Sequence, residues 1–558
     1  MAASSPFRAL LVRIMVLAAA VSLVAPLARA DGAPAADGFA VRGIKGLWWD
    51  GIEKYRLALP WLAGHKLNFL MFCYTSFPAS GKDWRSDYTA EEMRQMGDLS
   101  IEARKLGVNL CLSFNPAIWS NPPLVHSSEE DYQTILRKVK SVHALGINWF
   151  ALCLDDINRA LTPADSERFG NLETAQVYLV NRLWDDMKSL RPRPKLIFCP
   201  SAYTTRDMLA HQDYIKAIGA GVARDVRIFW TGPEVCSPRI TAADANRVAG
   251  WLRRKPFVWD NYPVNDMCPW RPLVGPVRGR AADLAGAVSG FMANPMKQWH
   301  ASTLPLASLA EYLNDAAGYR PEAARRRVIE SYPHGDRRAV GLLFDLYGSS
   351  FWGEAAFPPV PKPADRREAG RLLGRYRVLR AELASRPNLA PLYEDVSPTL
   401  EMDIRDLERQ AAITGEDSGL LMPGDRFSGG GAEVYARTHR GRWVGYVYAA
   451  PTGKDTIRAK FLIEGSPPAA AELRLQALND DSGKAPRISV KVNDAVVFEG
   501  TSPFNSADFS ERRLPIPAGA LKQGTNVLAI ANIEPAGTLG MPPWFMVSEA
   551  EVIPVSGN

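Results

Sequence analysis

Eight short apolar runs, separated by amphipathic segments, extend from residue 43 to about residue 300. The runs read GIKGLWW, NFLMFC, NLCLSF, WFALCL, KLIFCP, VRIFW, FVWDN and GFMAN. Runs that are apolar on both faces are typical of parallel strands covered by helices, and eight such strands can close a barrel. The alternation predicts an α/β fold, a (β/α)8 TIM barrel over residues 43–300, with its active site where the strands end.

The segments between the runs carry helix signals. One opens at Ser127 with a Ser-x-x-Glu pattern, which predicts a capping box with Glu130, and Gly146 is expected to end that helix. Another amphipathic segment opens at Thr241, a residue type that favours a helix N-cap.

Composition divides the rest of this 558-residue chain, which is longer than the roughly 250–300 residues of a single core. Residues 301–413 carry Ala-, Leu- and Arg-rich stretches without strand patterns, which predicts a helical domain. A linker is expected over residues 414–431. Residues 432–558 alternate polar and apolar residues, which predicts a β-sandwich of jelly-roll type. That sandwich either binds carbohydrate or has a structural role.

The first 30 residues have the pattern of a secretory signal peptide. Arg8 and Arg13 precede the apolar run IMVLAAAVSLVAPL, and Ala28-Arg29-Ala30 supplies a small-x-small cleavage site. An N-terminal anchor is the alternative, but the run is shorter than the ~20 residues that span a bilayer. We expect cleavage after residue 30, a linker over residues 31–42, export to the periplasm or the medium, and no stable membrane insertion.

Charge and metal-ligand spacing exclude several function classes. The net charge is +6, and no basic run is interleaved with aromatic residues, so nucleic acid is not an expected partner. The six cysteines form no CxxC pair, and no histidines are paired at metal spacing. No metal site is therefore expected, and no cofactor is implied. The cysteines are interpreted as buried free thiols, with a disulfide bridge in an oxidising compartment as the alternative.

Two adjacent aspartates, Asp155 and Asp156, end the fourth apolar run. Successive strand residues point to opposite faces, so both carboxylates reach one pocket only if the backbone turns there. Two nearby carboxylates also raise the proton affinity of one of them, which suits catalysis. The alternative is structural: one aspartate caps a following helix and the other pairs with Arg159.

Polar and aromatic residues also end the later strands. Amides, carboxylates and indole rings converging at one barrel mouth are typical of a sugar site, because hydroxyl groups need polar partners and sugar faces pack on rings. The candidates are Tyr203, Trp230, Trp259, Asp260, Asn261, Asn265, Asp266 and Asn294.

The stretches FALCLDDI, LIFCPSAY, WTGPEVCSPRIT, VWDNYPVND, LVGPVRGR and GFMANP resemble glycoside hydrolase family 84, the β-N-acetylglucosaminidases. The resemblance covers about residues 43–305. It implies removal of terminal β-linked N-acetylglucosamine from a glycan or glycoconjugate by a retaining mechanism in which the substrate's acetamido oxygen is the nucleophile and forms an oxazoline.

The resemblance also implies residue roles. Asp155 matches the carboxylate that orients the acetamido N–H and stabilises the developing positive charge, and Asp156 matches the general acid and base. The remaining substrate-binding candidates are Tyr203 and Asn261 at the acetamido group, Trp259 as the pocket wall, Asp266 and Asn294 at sugar hydroxyls, and Gly46 as a backbone contact.

Two departures from the family pattern concern the sugar hydroxyls and the leaving group. The lysine that the family carries after its second strand is absent from FCYTSFP, and Trp48 and Trp49 follow the first strand. Two alternative functions remain: a retaining glycosidase whose nucleophile is Glu234 or Asp260, acting on a sugar without an acetamido group, and a non-catalytic glycan-binding protein.

Overall fold

The computed structural model describes most of the chain after the predicted signal peptide. The described residues are 38–46, 52–118, 120, 122–265, 271–348, 366–412, 420–424, 427–430, 438–439, 442–480, 483–537 and 542–555. The signal-peptide prediction, Trp48, Trp49, Asp266 and Cys268 lie outside these residues.

Eight parallel strands close into a barrel, which confirms the predicted fold class. Closure is visible at β1, where Gly43 pairs with Phe69 of β2 on one side and with Met292 of β8 on the other. The strands are β1 Arg42–Lys45, β2 Phe69–Phe72, β3 Asn109–Phe114, β4 Trp149–Cys153, β5 Lys195–Cys199, β6 Arg227–Trp230, β7 Phe257–Asp260 and β8 Gly290–Ala293.

Side chains alternate between the barrel interior and the layer under the helices. The interior cluster includes Trp149, Ala151 and Cys153 of β4, whereas Phe150 and Leu152 belong to the outer layer. Cys73, Cys111, Cys153 and Cys199 are buried free thiols, as expected for small apolar residues. Because alternation has a period of two, Asp155 is the next residue after Cys153 to point inward.

Helices cover the barrel and follow it. They are α1 Glu53–Gly64, α2 Ala90–Leu106, α3 Glu129–Ala144, α4 Pro163–Phe169, α5 Leu172–Met187, α6 Thr205–Ala210, α7 Gln212–Gly221, α8 Ala242–Leu252, α9 Leu284–Ala287, α10 Trp299–Asn314, α11 Pro321–Ser331, α12 Arg337–Tyr347, α13 Arg366–Ala384 and α14 Ala390–Ala412. Thr241 caps α8 as predicted. The predicted cap of α3 is wrong by one residue, because Ser128 accepts the Asp131 N–H and Ser127 N–H is held by Asp165.

The predicted boundary at residue 300 falls inside α10, which packs against the start of the barrel. Phe39 N–H donates to Leu313 O at 3.1 Å, and Arg42 Nε donates to Asn314 Oδ1 at 3.0 Å. α10 is therefore the eighth barrel helix, and the change to a purely helical region comes after residue 314. Sequence patterns mark this helix but not the surface on which it packs.

Two antiparallel sheets form the C-terminal region. Their strand orders are β10-β14-β19-β16-β17 and β13-β20-β15-β18 with β9 beside β20, and β11 pairs with β12. The strands are β9 Leu421–Pro423, β10 Ser428–Gly429, β11 Thr438–His439, β12 Arg442–Trp443, β13 Gly445–Tyr448, β14 Thr456–Ile463, β15 Ala471–Asn479, β16 Arg487–Val492, β17 Ala495–Thr501, β18 Ser510–Ile516, β19 Gly524–Asn532 and β20 Trp544–Pro554.

One apolar core is shared by these two sheets, as expected for a sandwich. Ile457 and Phe461 of β14 pack with Leu473 and Leu475 of β15. The predicted linker over residues 414–431 contains β9 and β10, so that boundary lies too late in the sequence. These strands are only three and two residues long, too short to show a period-two pattern.

Candidate active site

The two aspartates that follow β4 point into different surroundings. Asp155 continues the inward series of β4 and is 5% exposed. Asp156 has a φ of 52°, a left-handed conformation that turns the chain, and its side chain is exposed. This turn lets both neighbours reach the barrel mouth, because the strict alternation of the strand ends at Asp155.

The structural alternative for the aspartate pair does not hold. The next helix, α4, begins at Pro163 and is capped by Thr162, six residues beyond Asp156. Arg159 donates to Ser201 O at 2.6 Å and pairs with Asp207 instead. Neither aspartate therefore caps a helix or pairs with Arg159.

Asp155 is held by two side chains from neighbouring strands. Tyr74 Oη, just beyond β2, donates to Asp155 Oδ2 at 3.0 Å, and Asn115 Nδ2, just beyond β3, donates to the backbone oxygen of Asp155 at 3.0 Å. Burial, and then the charge of Asp156, raise the pKa of Asp155 to about 6. Asp155 is therefore a fixed carboxylate that is half protonated in mildly acidic solution.

Asp156 contacts Tyr203 and an open cavity. Tyr203 Oη, beyond β5, donates to Asp156 Oδ1 at 2.8 Å. Burial and the charge of Asp156 raise the pKa of Tyr203, so the phenol stays protonated as the donor of this bond. Asp156 also lines a cavity of about 500 Å³ with Ala117, Leu124 and Asn158. Of the two carboxylates, Asp156 is the one with room beside it for a second group.

Three residues at the ends of β7 and β8 form an amide network. Trp259 Nε1 and Asn294 Nδ2 both donate to Asn261 Oδ1, at 2.9 Å and 3.1 Å, and Asn261 Nδ2 donates to Val235 O at 2.9 Å. Asn294 Oδ1 has no hydrogen-bond partner among the described residues. The network fixes the orientation of the Trp259 ring and leaves one amide acceptor unused.

A lysine lies between Tyr74, which holds Asp155, and Trp259 of the amide network. Lys45, the last residue of β1, is 3% exposed, and its Nζ lies 4.0 Å from the centroid of the Trp259 ring and 5.4 Å from that of Tyr74. Sequence reasoning missed Lys45, Tyr74 and Asn115. Their common signal was available, since each lies at the end of a predicted strand.

Gly46 follows Lys45 at the barrel mouth. Its N–H donates to Met71 O at 2.9 Å, and its carbonyl accepts a bond of 3.3 Å from Tyr55 Oη. A Cβ atom at this position would lie 2.3 Å from the Tyr55 ring, which requires glycine. Its predicted contact with the sugar stays a prediction, and Asp266 lies outside the described residues.

Trp230 does not join the other candidates. It is fully buried in the outer layer, and its Nε1 donates to Thr205 Oγ1 at 3.0 Å. On β6 the inward residue is Phe229, whose ring lies 5.3 Å from that of Trp259. The structure does not bring Trp230 to the other substrate-binding candidates, because the register of β6 turns it away from the barrel interior.

The two alternative nucleophiles are engaged elsewhere. Asp260 is fully buried and accepts two hydrogen bonds from Arg280, at 2.8 Å from Nε and 2.5 Å from Nη2. Glu234 pairs with the exposed Arg206 at 2.9 Å. Within the described residues, no group of three or more His, Cys, Asp or Glu side chains is placed to hold a metal.

Comparison with known families identifies the chain. The sequence model of a family described as beta-N-acetylglucosaminidase matches residues 41–344, more than half of the chain. The protein belongs to this family, glycoside hydrolase family 84. The assignment agrees with the resemblance found in the strand-end motifs, and it makes the chain a member of a glycoside hydrolase family.

Two mammalian proteins are similar in sequence to this member of the β-N-acetylglucosaminidase family. The Protein O-GlcNAcase of Rattus norvegicus and that of Mus musculus are each 28% identical over 243 residues, which are 43% of this chain and 26% of each relative. The matched part is thus about a quarter of the length of these curated relatives.

Solved structures share the fold. An O-GlcNAc hydrolase variant from Thermobaculum terrenum aligns with a TM-score of 0.59 and 23% identity, over 66% of this chain and 82% of that one. The structure of CpGH84B aligns with a TM-score of 0.56 and 22% identity, over 67% and 68%. These alignments support the barrel and the region that follows it.

Proposed function

We propose that the protein removes terminal β-linked N-acetylglucosamine by a retaining mechanism in which the substrate's acetamido oxygen attacks the anomeric carbon. One observation carries this proposal: the two neighbouring aspartates occupy unlike surroundings. A buried, hydrogen-bonded carboxylate suits a fixed charge, whereas an exposed carboxylate beside a cavity suits a group that exchanges protons.

Asp155 is proposed to accept the acetamido N–H and to stabilise the positive charge that develops on the oxazoline. Tyr74 and Asn115 hold it from two sides, so the carboxylate needs little reorganisation during the reaction. Its burial strengthens the interaction with a developing cation, because charges interact more strongly away from water.

Asp156 is proposed to protonate the leaving oxygen and then to deprotonate the attacking water. The cavity beside it provides space for the leaving group. Tyr203, whose phenol donates to Asp156, is proposed to hold that carboxylate in position and to contact the acetamido group of the substrate. Trp259, Asn261 and Asn294 would then contact the sugar, with the indole ring as the wall of the acetamido pocket.

A protein nucleophile is less well supported. Asp260 is occupied by Arg280 in a buried, bidentate ion pair, and using it would leave that arginine without its partner. Glu234 lies in a surface ion pair with Arg206. The buried, polar arrangement around Asp155 instead fits a substrate that brings its own nucleophile.

A series of aryl β-N-acetylglucosaminides with zero to three fluorines on the acetyl group tests this proposal. Fluorine withdraws electrons from the acetamido oxygen and hardly changes the shape of the sugar, so each added fluorine should lower kcat. Aryl β-glucoside, which lacks the acetamido group, is the matched control and should not turn over. Constant kcat across the series, or turnover of the glucoside, would contradict substrate assistance.

Export is a separate part of the proposal. The Arg8 and Arg13 residues, the apolar run and the Ala-x-Ala site favour cleavage after residue 30. Among the described helices, none combines the length and apolar character of a membrane span. Mass spectrometry of the protein expressed in a secreting host tests the point: a mature N-terminus at Asp31 is expected, and an intact Met1 in the cytosol would contradict it.

A further inference from the structure

Lys45 is a buried cation that the proposed mechanism has not yet used. Its side chain is 97% buried by the surrounding barrel residues, with 3% exposed. Among the described residues, its ammonium makes neither a hydrogen bond nor an ion pair within 4 Å. Its nearest described neighbours are the faces of two rings, Trp259 at 4.0 Å and Tyr74 at 5.4 Å.

This placement is unusual for a lysine. Lysine side chains are seldom buried without a partner, and contact with ring faces stabilises a cation by about 0.5–2 kcal/mol. A structural lysine in this chain looks different: Lys138 is 5% exposed but donates to Ala79 O at 2.8 Å. Lys45 has no such backbone acceptor among the described residues, and its place on β1 directs it to the barrel mouth.

The position of Lys45 at the end of β1 indicates its role. Lys45 ends β1 in the inward series that includes Gly43, and it faces Tyr74 beyond β2 and Trp259 on β7. Tyr74 joins Lys45 to Asp155, because the ring that lies below the ammonium carries the hydroxyl that donates to the carboxylate. The lysine charge lowers the pKa of Asp155, against the larger raising effects of burial and of Asp156.

Several titratable groups act on Asp155, and they come from four strands. Lys45 is the positive one among those described. The others are Asp156 beyond β4, Tyr74 and Cys73 beyond β2, Cys153 on β4, and Cys199 and Tyr203 on and beyond β5. The Tyr74 phenol and the Cys153 and Cys199 thiols stay neutral near pH 7, since burial raises the pKa of each of them.

We propose that Lys45 is a positioning residue for the glycosidase reaction: its buried ammonium keeps Asp155 ionised, so that Asp155 can accept the acetamido N–H at neutral pH. The inference rests on the proposed function of Asp155. It also identifies a cation at the site in a chain that lacks the family's lysine after the second strand. Lys45 reaches the barrel mouth from β1 instead.

Lys45→Met and Lys45→Gln remove the charge and should move the acid limb of the kcat/KM profile to higher pH. The Lys45 charge lowers the pKa of Asp155, so its loss should raise the limb by about one unit, the lower end of the range of about 1–3 units for an opposite charge near a carboxyl. A shift of one unit from pH 6 lowers kcat/KM about fivefold at pH 6 and hardly at pH 8.

Two matched variants separate charge from packing. Lys45→Arg keeps the charge and should leave the limb within a few tenths of a unit of the parent. Lys138→Met removes a buried lysine outside the site and should leave the profile unmoved. A Lys45→Met profile that is lowered by the same factor at every pH would show a packing defect and overturn the proposal, as would a shift in Lys45→Arg equal to that in Lys45→Met.

Infrared titration of the Asp155 carboxyl, with Asp155→Asn as the blank, measures the same ionisation without turnover. It should show protonation at higher pH in Lys45→Met and Lys45→Gln than in the parent. Absence of hydrolysis of aryl β-N-acetylglucosaminide by the parent would defeat the proposed function, while the infrared titration still decides whether Lys45 controls Asp155. An unchanged titration would refute the role of Lys45 even in an active enzyme.

Discussion

Asp155→Asn should abolish activity and stabilise the fold at neutral pH. The pKa of Asp155 is about 6 in the folded protein, against 3.8 for an unperturbed aspartate. Between these values the folded chain holds a proton that the unfolded chain has lost, so the free energy of unfolding falls as pH rises from 3.8 to 6. Above pH 6, the difference of about 2 between the folded and unfolded pKa of Asp155 lowers the free energy of unfolding by about 3 kcal/mol.

The amide removes this penalty and keeps most contacts. Tyr74 can still donate to the amide oxygen, and Asn115 still donates to the backbone oxygen. The effect of the Tyr74 bond on the ionised carboxyl is already contained in the pKa of about 6, so it is not subtracted again. The net gain is therefore about 3 kcal/mol at pH 7.5 and only about 1 kcal/mol at pH 4.5, where most of the folded parent is already protonated.

Thermal unfolding at the two pH values measures this difference. A gain of about 3 kcal/mol corresponds to a rise in Tm of roughly 3–5 °C at pH 7.5 for a unit of several hundred residues. Asp213→Asn, at an exposed carboxylate in α7, is the matched control and should change Tm little at either pH. A lower Tm for Asp155→Asn at pH 7.5, or an equal gain at both pH values, would refute the reasoning.

Two further predictions concern catalysis and the fold. Asp156→Asn should lower kcat/KM strongly for alkyl β-N-acetylglucosaminides and weakly for aryl ones with good leaving groups, which need little protonation; equal losses would contradict Asp156 as the acid. Asp403→Ala should destabilise the fold by about 3–5 kcal/mol in chemical denaturation, because it leaves the buried Arg271 without the carboxylate that it binds with Nη1 at 3.0 Å. Combining it with Arg271→Met should recover much of the loss, and a double variant as unstable as Asp403→Ala would contradict the ion pair as the cause.

Local pattern was enough for the barrel. Each strand is a short run that is apolar on both faces, and several of the longer helices are amphipathic segments that open at a capping residue such as Thr241. These signals lie within ten or twenty neighbouring residues, so the sequence displays them directly. For the same reason, the sequence predicts that Asp155 and Asp156 fall at a strand end, where a parallel barrel collects its polar side chains.

The sequence does not display which strand-end residues face each other. Trp230 and Asp260 are the last residues of their strands, and Asn261 comes directly after Asp260. Because successive side chains point to opposite faces, Trp230 and Asp260 point into the outer layer, where they contact Thr205 and Arg280. The predicted boundaries at residues 300 and 431 differ from the structure for a related reason. The packing of α10 on the barrel and the pairing of β9 with β20 decide to which region each element belongs. When a strand is apolar on both faces, its sequence does not indicate which side chains point into the barrel and which point toward the helices.

Tertiary structure alone decided the surroundings of Asp155. Tyr74 and Asn115 precede it by 81 and 40 residues, and they reach it only because β2, β3 and β4 are neighbours in the closed barrel. Lys45 comes close because β1 lies next to β8, which brings β7 and its Trp259 within reach. Burial of the carboxylate and the charges around it depend on these distant contacts, and a pKa is a property of all surrounding groups rather than of the residue itself.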